Sequence, residues 1–161
     1  YTVLVEGDDH NEPIADALRG LLDGHLVLSR DLAAKAHWPP IDILHSLSRL
    51  QPHLVSREAL QATAIARQHL SEYHRHADLI SIGAYRQGSD PRVDTAIAMR
   101  DPLNMFLQQE ATQITTLEDS KRMLAQIVSA QPVNPQANVD VTAQNAPAES
   151  MVEESPGVAT N

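Results

Sequence analysis

Between Ala59 and Ile80 the apolar residues fall at steps of three and four: Ala59, Ala62, Ala66, Leu70, Tyr73, Ala77 and Ile80. No other feature constrains the fold as tightly, because a run of this length and period is a helix of about six turns with one face in a core. Ser56 stands where its hydroxyl can cap the first turn, and Gly83 with the GSDP turn at 88–91 ends the helix. Asp90 before Pro91 and Asp101 before Pro102 each pair a capping carboxylate with a proline suited to a first helical turn, which predicts two short helices. Thr115 with Glu118 three residues on predicts a capping box that opens a last helix over Leu117, Met123, Leu124, Ile127 and Val128. Residues 51–130 therefore read as an all-α domain, without an internal repeat.

Residues 1–50 follow another pattern. TVLV, residues 2–5, is an unbroken apolar run that reads as a fully buried parallel strand. The loop EGDDHNEP leads into a helix with Asn11 or Glu12 before Pro13, and with Ile14, Leu18, Leu21 and Leu22 at helical spacing. Gly24 ends it. HLVLS at 25–29 reads as a second strand, and RDLAAKA as a short helix before Pro39 and Pro40 force an extended segment. Strand, helix, strand implies a parallel crossover at the end of an α/β sheet of the nucleotide-binding type. Residues 131–161, in contrast, hold four prolines and four acidic residues but no Lys, Arg, Leu, Ile or aromatic residue; such a segment cannot bury enough apolar surface to order itself and reads as a disordered tail.

Composition narrows the function. Twenty-one acidic against twelve basic residues give a formal charge of −9, and no Lys/Arg block occurs, which argues against a nucleic-acid partner or a polybasic membrane patch. The chain has no cysteine, so disulfides, thiolate zinc sites and cysteine nucleophiles are excluded. No apolar run approaches the ~20 residues of a membrane span, and YTVLVEGDD has neither the charged nor the apolar region of a leader. The expectation is a cytoplasmic protein.

Six glycines form neither GxxxxGK[ST] nor GxGxxG, so these residues contain no phosphate cradle. His69, Glu72 and His76 share a helix face at spacings able to ligate zinc, yet without HExxH, surface histidines on an acidic helix are the commoner explanation. His10, His25, His37 and His45 are scattered and assemble no catalytic triad. The loop Gly7, Asp8, Asp9 follows the first strand, at the sheet rim where α/β folds meet ligands and partners; it equally fits a solvated turn. Trp38, in HWPPIDILHSLSR, either covers a core edge or presents its ring to a flat ligand, with the adjacent prolines holding its backbone extended. Arg49, at the end of the same stretch, either forms an ordinary salt bridge or serves a site.

YTVLVEGDD, EPIAD, DGHLVLSR, HWPPIDI, SLSR, DLISIGAYRQGSDPRVDTAI and FLQQ, in this order, closely resemble the flagellum-specific protein export ATPases. That family is related to injectisome type III secretion ATPases and to the catalytic and noncatalytic subunits of rotary ATP synthases. The resemblance covers about residues 1–130 and implies an α-rich α/β fragment: the C-terminal end of a parallel-sheet P-loop ATPase domain at 1–50, a helical C-terminal domain at 51–130, and the tail. The Walker motifs would lie upstream of Tyr1, so these residues alone are expected to be inactive, while the parent hydrolyses ATP with Mg as a homohexamer. By resemblance, Trp38 packs on adenine, where the family usually has Tyr and has Ala in place of Pro40. Arg49 is similar to the arginine finger that reaches the neighbouring subunit's γ-phosphate, Phe106 approaches the adenine from the other side, and Gly7, Asp8 and Asp9 touch a central stalk subunit. The implied partners are the stalk and export-gate or chaperone proteins at the base of the export apparatus, with at most peripheral membrane association. Two other readings stand beside this one: an injectisome secretion ATPase, and a noncatalytic helical module that binds a stalk or chaperone.

Overall fold

The structure, a computed structural model, describes residues 2–5 and 12–130. The acidic loop Gly7, Asp8, Asp9 and the tail 131–161 lie outside the described residues. The elements in order are α1 (Pro13–Leu21), β1 (Gly24–Leu28), α2 (Arg30–Ala34), β2 (Ile41–Ser48), α3 (Gln51–Leu54), α4 (Arg57–Ser81), α5 (Pro91–Leu107) and α6 (Leu117–Ser129).

The long helix forms as its period requires. Ser56 Oγ accepts from the Ala59 N–H at the N-terminus of α4. Ala62 and Ala66 are buried in its middle, and such small side chains let α5 and α6 approach closely. The core joins Ala66, Met99, Leu103 and Val128, with Ile65, Leu70, Leu124 and Ile127 packed around it; Val93 and Leu103 are each only 1% exposed. Gly83 follows the end of α4 with φ at +70°, a conformation in which glycine carries no Cβ penalty.

Two expectations about the helices are corrected. A single helix, α5, runs from Pro91 through Pro102 to Leu107. Pro102 removes one backbone donor, a cost of about 3 kcal/mol, but Val93, Ala96, Met99 and Leu103 are all buried on one helical stripe, and that burial outweighs it. Asp101 does not cap; its carboxylate lies 3.4 Å from Arg100. Asp90, as expected, accepts from the Arg92 N–H. At α6 the cap is Thr116, not Thr115: Thr116 Oγ1 accepts from the Asp119 N–H and donates to the Asp119 carboxylate at 2.6 Å. Both partners sit one residue later than the Thr115 and Glu118 pattern.

The expected parallel pairing of residues 2–5 with β1 does not form among the described residues. Strands β1 and β2 pair antiparallel as a two-stranded sheet, and residues 2–5 form no strand, with Leu4 92% exposed. The crossover rule applies to two strands of one sheet, and among the described residues nothing offers TVLV a ladder. The extended segment after the prolines is instead the second strand. Gly24 faces Ser48 in the register, and a Cβ on Gly24 would lie 2.8 Å from the Leu47 carbonyl oxygen, so the close crossing of β1 and β2 requires glycine there.

Candidate functional site

The turn that delivers Trp38 is built from α2. Ser29 caps this helix through Leu32 N–H. At its end Ala36 N–H bonds to Ala33 O at 3.0 Å and His37 N–H to Leu32 O at 2.9 Å, the paired closing bonds of a Schellman motif. The position that usually holds glycine in that motif is Ala36, with φ at +56°, a conformation costing an L-residue about 1–2 kcal/mol. Residues held in this way cluster at binding sites. The chain then passes through buried His37, Trp38 and a cis Trp38–Pro39 peptide into β2.

Trp38 is 56% exposed, so it does not cover a core edge. It lines a cleft of about 780 Å³ together with Ala36, Pro39, Gln108, Gln109, Glu110, Ala111 and Gln113. The two walls are tied by backbone and side chain. Gln109 N–H donates to Trp38 O at 2.8 Å, and the Gln108 amide lies 3.4 Å from His37 Nδ1. No Lys or Arg lines the cleft, and its one charged group is the Glu110 carboxylate. Such a site favours a neutral planar group with polar edges and disfavours a phosphate.

Phe106 is half-buried near the end of α5 and does not line the cleft. The wall opposite Trp38 comes from residues 108–113, which immediately follow that helix. Sequence reasoning found Trp38 and the FLQQ segment, which includes Gln108 and Gln109, but missed Ala36, the role of His37 and the rest of the wall, Glu110, Ala111 and Gln113. The wall carries no local signal, since its role depends on a contact made across 71 positions of chain.

Arg49 lies outside this cleft. It is exposed and forms no salt bridge among the described residues. Its N–H donates to Asp23 O at 2.7 Å, and its guanidinium reaches Arg19 O and Gly20 O, each at 3.3 Å. It thus rests on the carbonyl-rich C-terminal end of α1, where a cation is favoured by the helix dipole. Two neutral acceptors at this distance leave the charge free to meet a stronger anion.

Asp42 organises the strand that ends just before Arg49. Its Oδ1 accepts from Leu44 N–H and His45 N–H, and its Oδ2 lies 2.7 Å from His45 Nδ1. Partial burial pulls the Asp42 carboxyl upward, but the bonds from His45 and Leu44 together hold it below the ordinary aspartate value. The His69, Glu72, His76 face is structural: Glu72 lies 3.2 Å from Arg75 and 3.4 Å from His76, and burial lowers the His69 pKa. Among the described residues no group of three His, Asp or Glu side chains gathers closely enough to hold a metal ion, and no helix is long and apolar enough to cross a membrane.

Comparison with known proteins identifies the two parts of the chain. Residues 1–48 match the nucleotide-binding domain of the ATP synthase alpha/beta family, and residues 55–126 match the C-terminal domain of the T3SS EscN ATPase. The chain is 45% identical over 139 residues to the flagellum-specific ATP synthase of Treponema pallidum, covering 86% of this chain and 31% of that protein. It is 43% identical over 129 residues to the type 3 secretion system ATPase of Sinorhizobium fredii, covering 80% of this chain and 29% of that protein. Among solved structures, the assembled ATPase EscN of the enteropathogenic E. coli type III secretion system superposes with a TM-score of 0.75 at 41% identity, over 80% of this chain and 31% of that one. EscN in complex with its central stalk EscO gives 0.68 at 40% identity, over 72% and 29%. The chain spans less than a third of the length of these relatives. With the end of a nucleotide-binding domain running into a helical C-terminal domain, it belongs to the family of flagellum-specific ATP synthases and type III secretion ATPases, as the C-terminal part.

Proposed function

We propose that these residues form the C-terminal part of an ATPase that energises flagellar protein export by hydrolysing ATP, with Mg, in a hexameric ring. Residues 1–50 end its nucleotide-binding domain and 51–130 form its helical domain. The observation that carries this reading is the division of labour within one short stretch. Trp38 stands in a cleft without a cation, suited to a base, while Arg49, eleven positions on, lies outside that cleft with its guanidinium on two neutral carbonyls. Trp38 packs on the adenine held by its own subunit, with residues 108–113, which follow Phe106 and α5, as the opposing wall. Arg49 completes the neighbouring subunit's site by stabilising charge on the transferring phosphoryl group. The flagellar branch is preferred to the injectisome branch on the IGAYRQGSDPRVD stretch, which resembles the flagellar branch more. A central stalk partner is supported by the EscN–EscO complex.

The test uses a full-length ring protein carrying these residues. Arg49→Ala lowers ATP turnover by about 10³-fold or more, the range measured for trans arginines, while nucleotide affinity stays within a few-fold. Wild-type turnover in that variant would contradict the assignment. The second reading, a noncatalytic helical module, predicts instead no ATP turnover in the wild-type protein.

A further inference from the structure

Strands β1 and β2 fall out of step between two well-paired ends. Val27 faces Asp42 and His25 faces Leu47, so the two positions advanced along β1 correspond to five along β2, and the surplus residues leave the ladder as a bulge. Their backbone groups need other partners. Asp42 takes the Leu44 and His45 N–H groups. Ser46 Oγ donates to Asp42 O at 2.6 Å and accepts from Val27 N–H at 3.0 Å, and the His25 ring lies 3.0 Å from His45 O. The carbonyls of Leu44 and Ser46 are taken by a residue from the helical region. Arg67 on α4 places Nη2 at 3.2 Å from Leu44 O, and Nη1 and Nη2 each at 3.3 Å from Ser46 O.

Arg67 is half-buried, and it directs its fork at neutral carbonyls two residues apart. A planar guanidinium can span both; a lysine ammonium, a single point of charge, cannot reproduce that span. Ser46, the carbonyl it grips twice, lies three residues before Arg49. Beyond it the chain re-enters the ladder at Leu47 and Ser48, and Arg49 N–H is fixed to Asp23 O.

We infer that Arg67 is a positioning residue for Arg49: by gripping the bulge it sets where β2 re-enters the sheet, and so aims Arg49 at the neighbouring subunit's phosphate. This rests on the proposed role of Arg49 in trans. It makes the helical region part of the phosphate-transfer geometry of the adjacent site.

A double-mutant cycle in the full-length ring separates this from a general structural role. Arg67→Ala should lower kcat by about tenfold or more, the scale expected when a catalytic group is displaced by about an ångström, with KM for ATP and hexamer assembly unchanged. Arg67→Lys should recover only part of the loss. In an Arg49→Ala background, Arg67→Ala should cost less than about twofold more, because the group it positions is gone. If Arg67→Ala does not assemble, Arg67→Lys carries the same cycle with the same expectation. Independent, multiplicative losses, or a change in KM or assembly with kcat intact, would overturn the positioning role while leaving the Arg49 assignment standing. Wild-type turnover in Arg49→Ala alone would instead remove the reading on which it rests.

Discussion

Helices α4 to α6 and the hairpin region before them are held in order in different ways. In the helices Ala62, Ala66, Val93, Ala96, Met99, Leu103 and Val128 are buried, so this region closes a core within itself. Around the hairpin Leu4, Ile14, Leu21, Leu26, Leu28 and Leu47 are exposed, and order comes from a two-stranded ladder, the Asp42 bonds and the grip of Arg67. Exposed leucines on both an edge helix and a strand face mark a layer whose partner lies elsewhere. The difference matches the proposed division: a helical domain that folds on its own contacts, and the last part of a larger sheet domain.

This contrast breaks most visibly at Leu103. Leu103→Ala should cost about 2–5 kcal/mol, the range for emptying a buried leucine site, measured as a lowered denaturation midpoint of the helical signal. A loss below about 1 kcal/mol would mean that the helices do not depend on this core. Gly24→Ala tests the hairpin through its backbone. The methyl would press on Leu47 O at 2.8 Å, and a cost of about 1–3 kcal/mol should appear as faster hydrogen exchange in β1 and β2, with the helices unaffected. Unchanged exchange would show that the hairpin tolerates a wider crossing. Leu28→Ser is the smallest effect. On this chain alone it should shift stability by no more than about 0.5 kcal/mol, whereas in the full-length ring protein it should lower the melting temperature measurably; a clear loss in the isolated chain would mean that β1 already has an apolar partner.

The legible parts of the sequence were those decided locally. The face of α4 followed from spacing, the Ser56 and Asp90 caps from residue type, and β1 from its apolar run bounded by glycine. Misreadings arose where distant residues decide. A helix through Pro102 depends on α5 burying its stripe against α4, which no propensity at Asp101 or Pro102 reveals. Whether TVLV pairs depends on ladder partners that its own composition cannot supply. Trp38 and Arg49 stood out as an isolated aromatic and an unexplained cation, but the cleft wall at 108–113 and the grip of Arg67 join segments far apart in sequence. Ala36 gave no warning at all, because alanine rarely takes the position that glycine fills in such a turn.

The division of one stretch between two nucleotide sites is tested most directly by mixing subunits. Full-length subunits carrying Arg49→Ala keep their own adenine cleft and phosphate loop; subunits with a disabled phosphate loop keep Arg49. Each population alone should be nearly inactive. Rings assembled from both should regain ATP turnover, since an intact Arg49 then borders an intact site, and the gain should track the fraction of mixed interfaces. Mixed rings no more active than the two separate populations would contradict a site completed in trans.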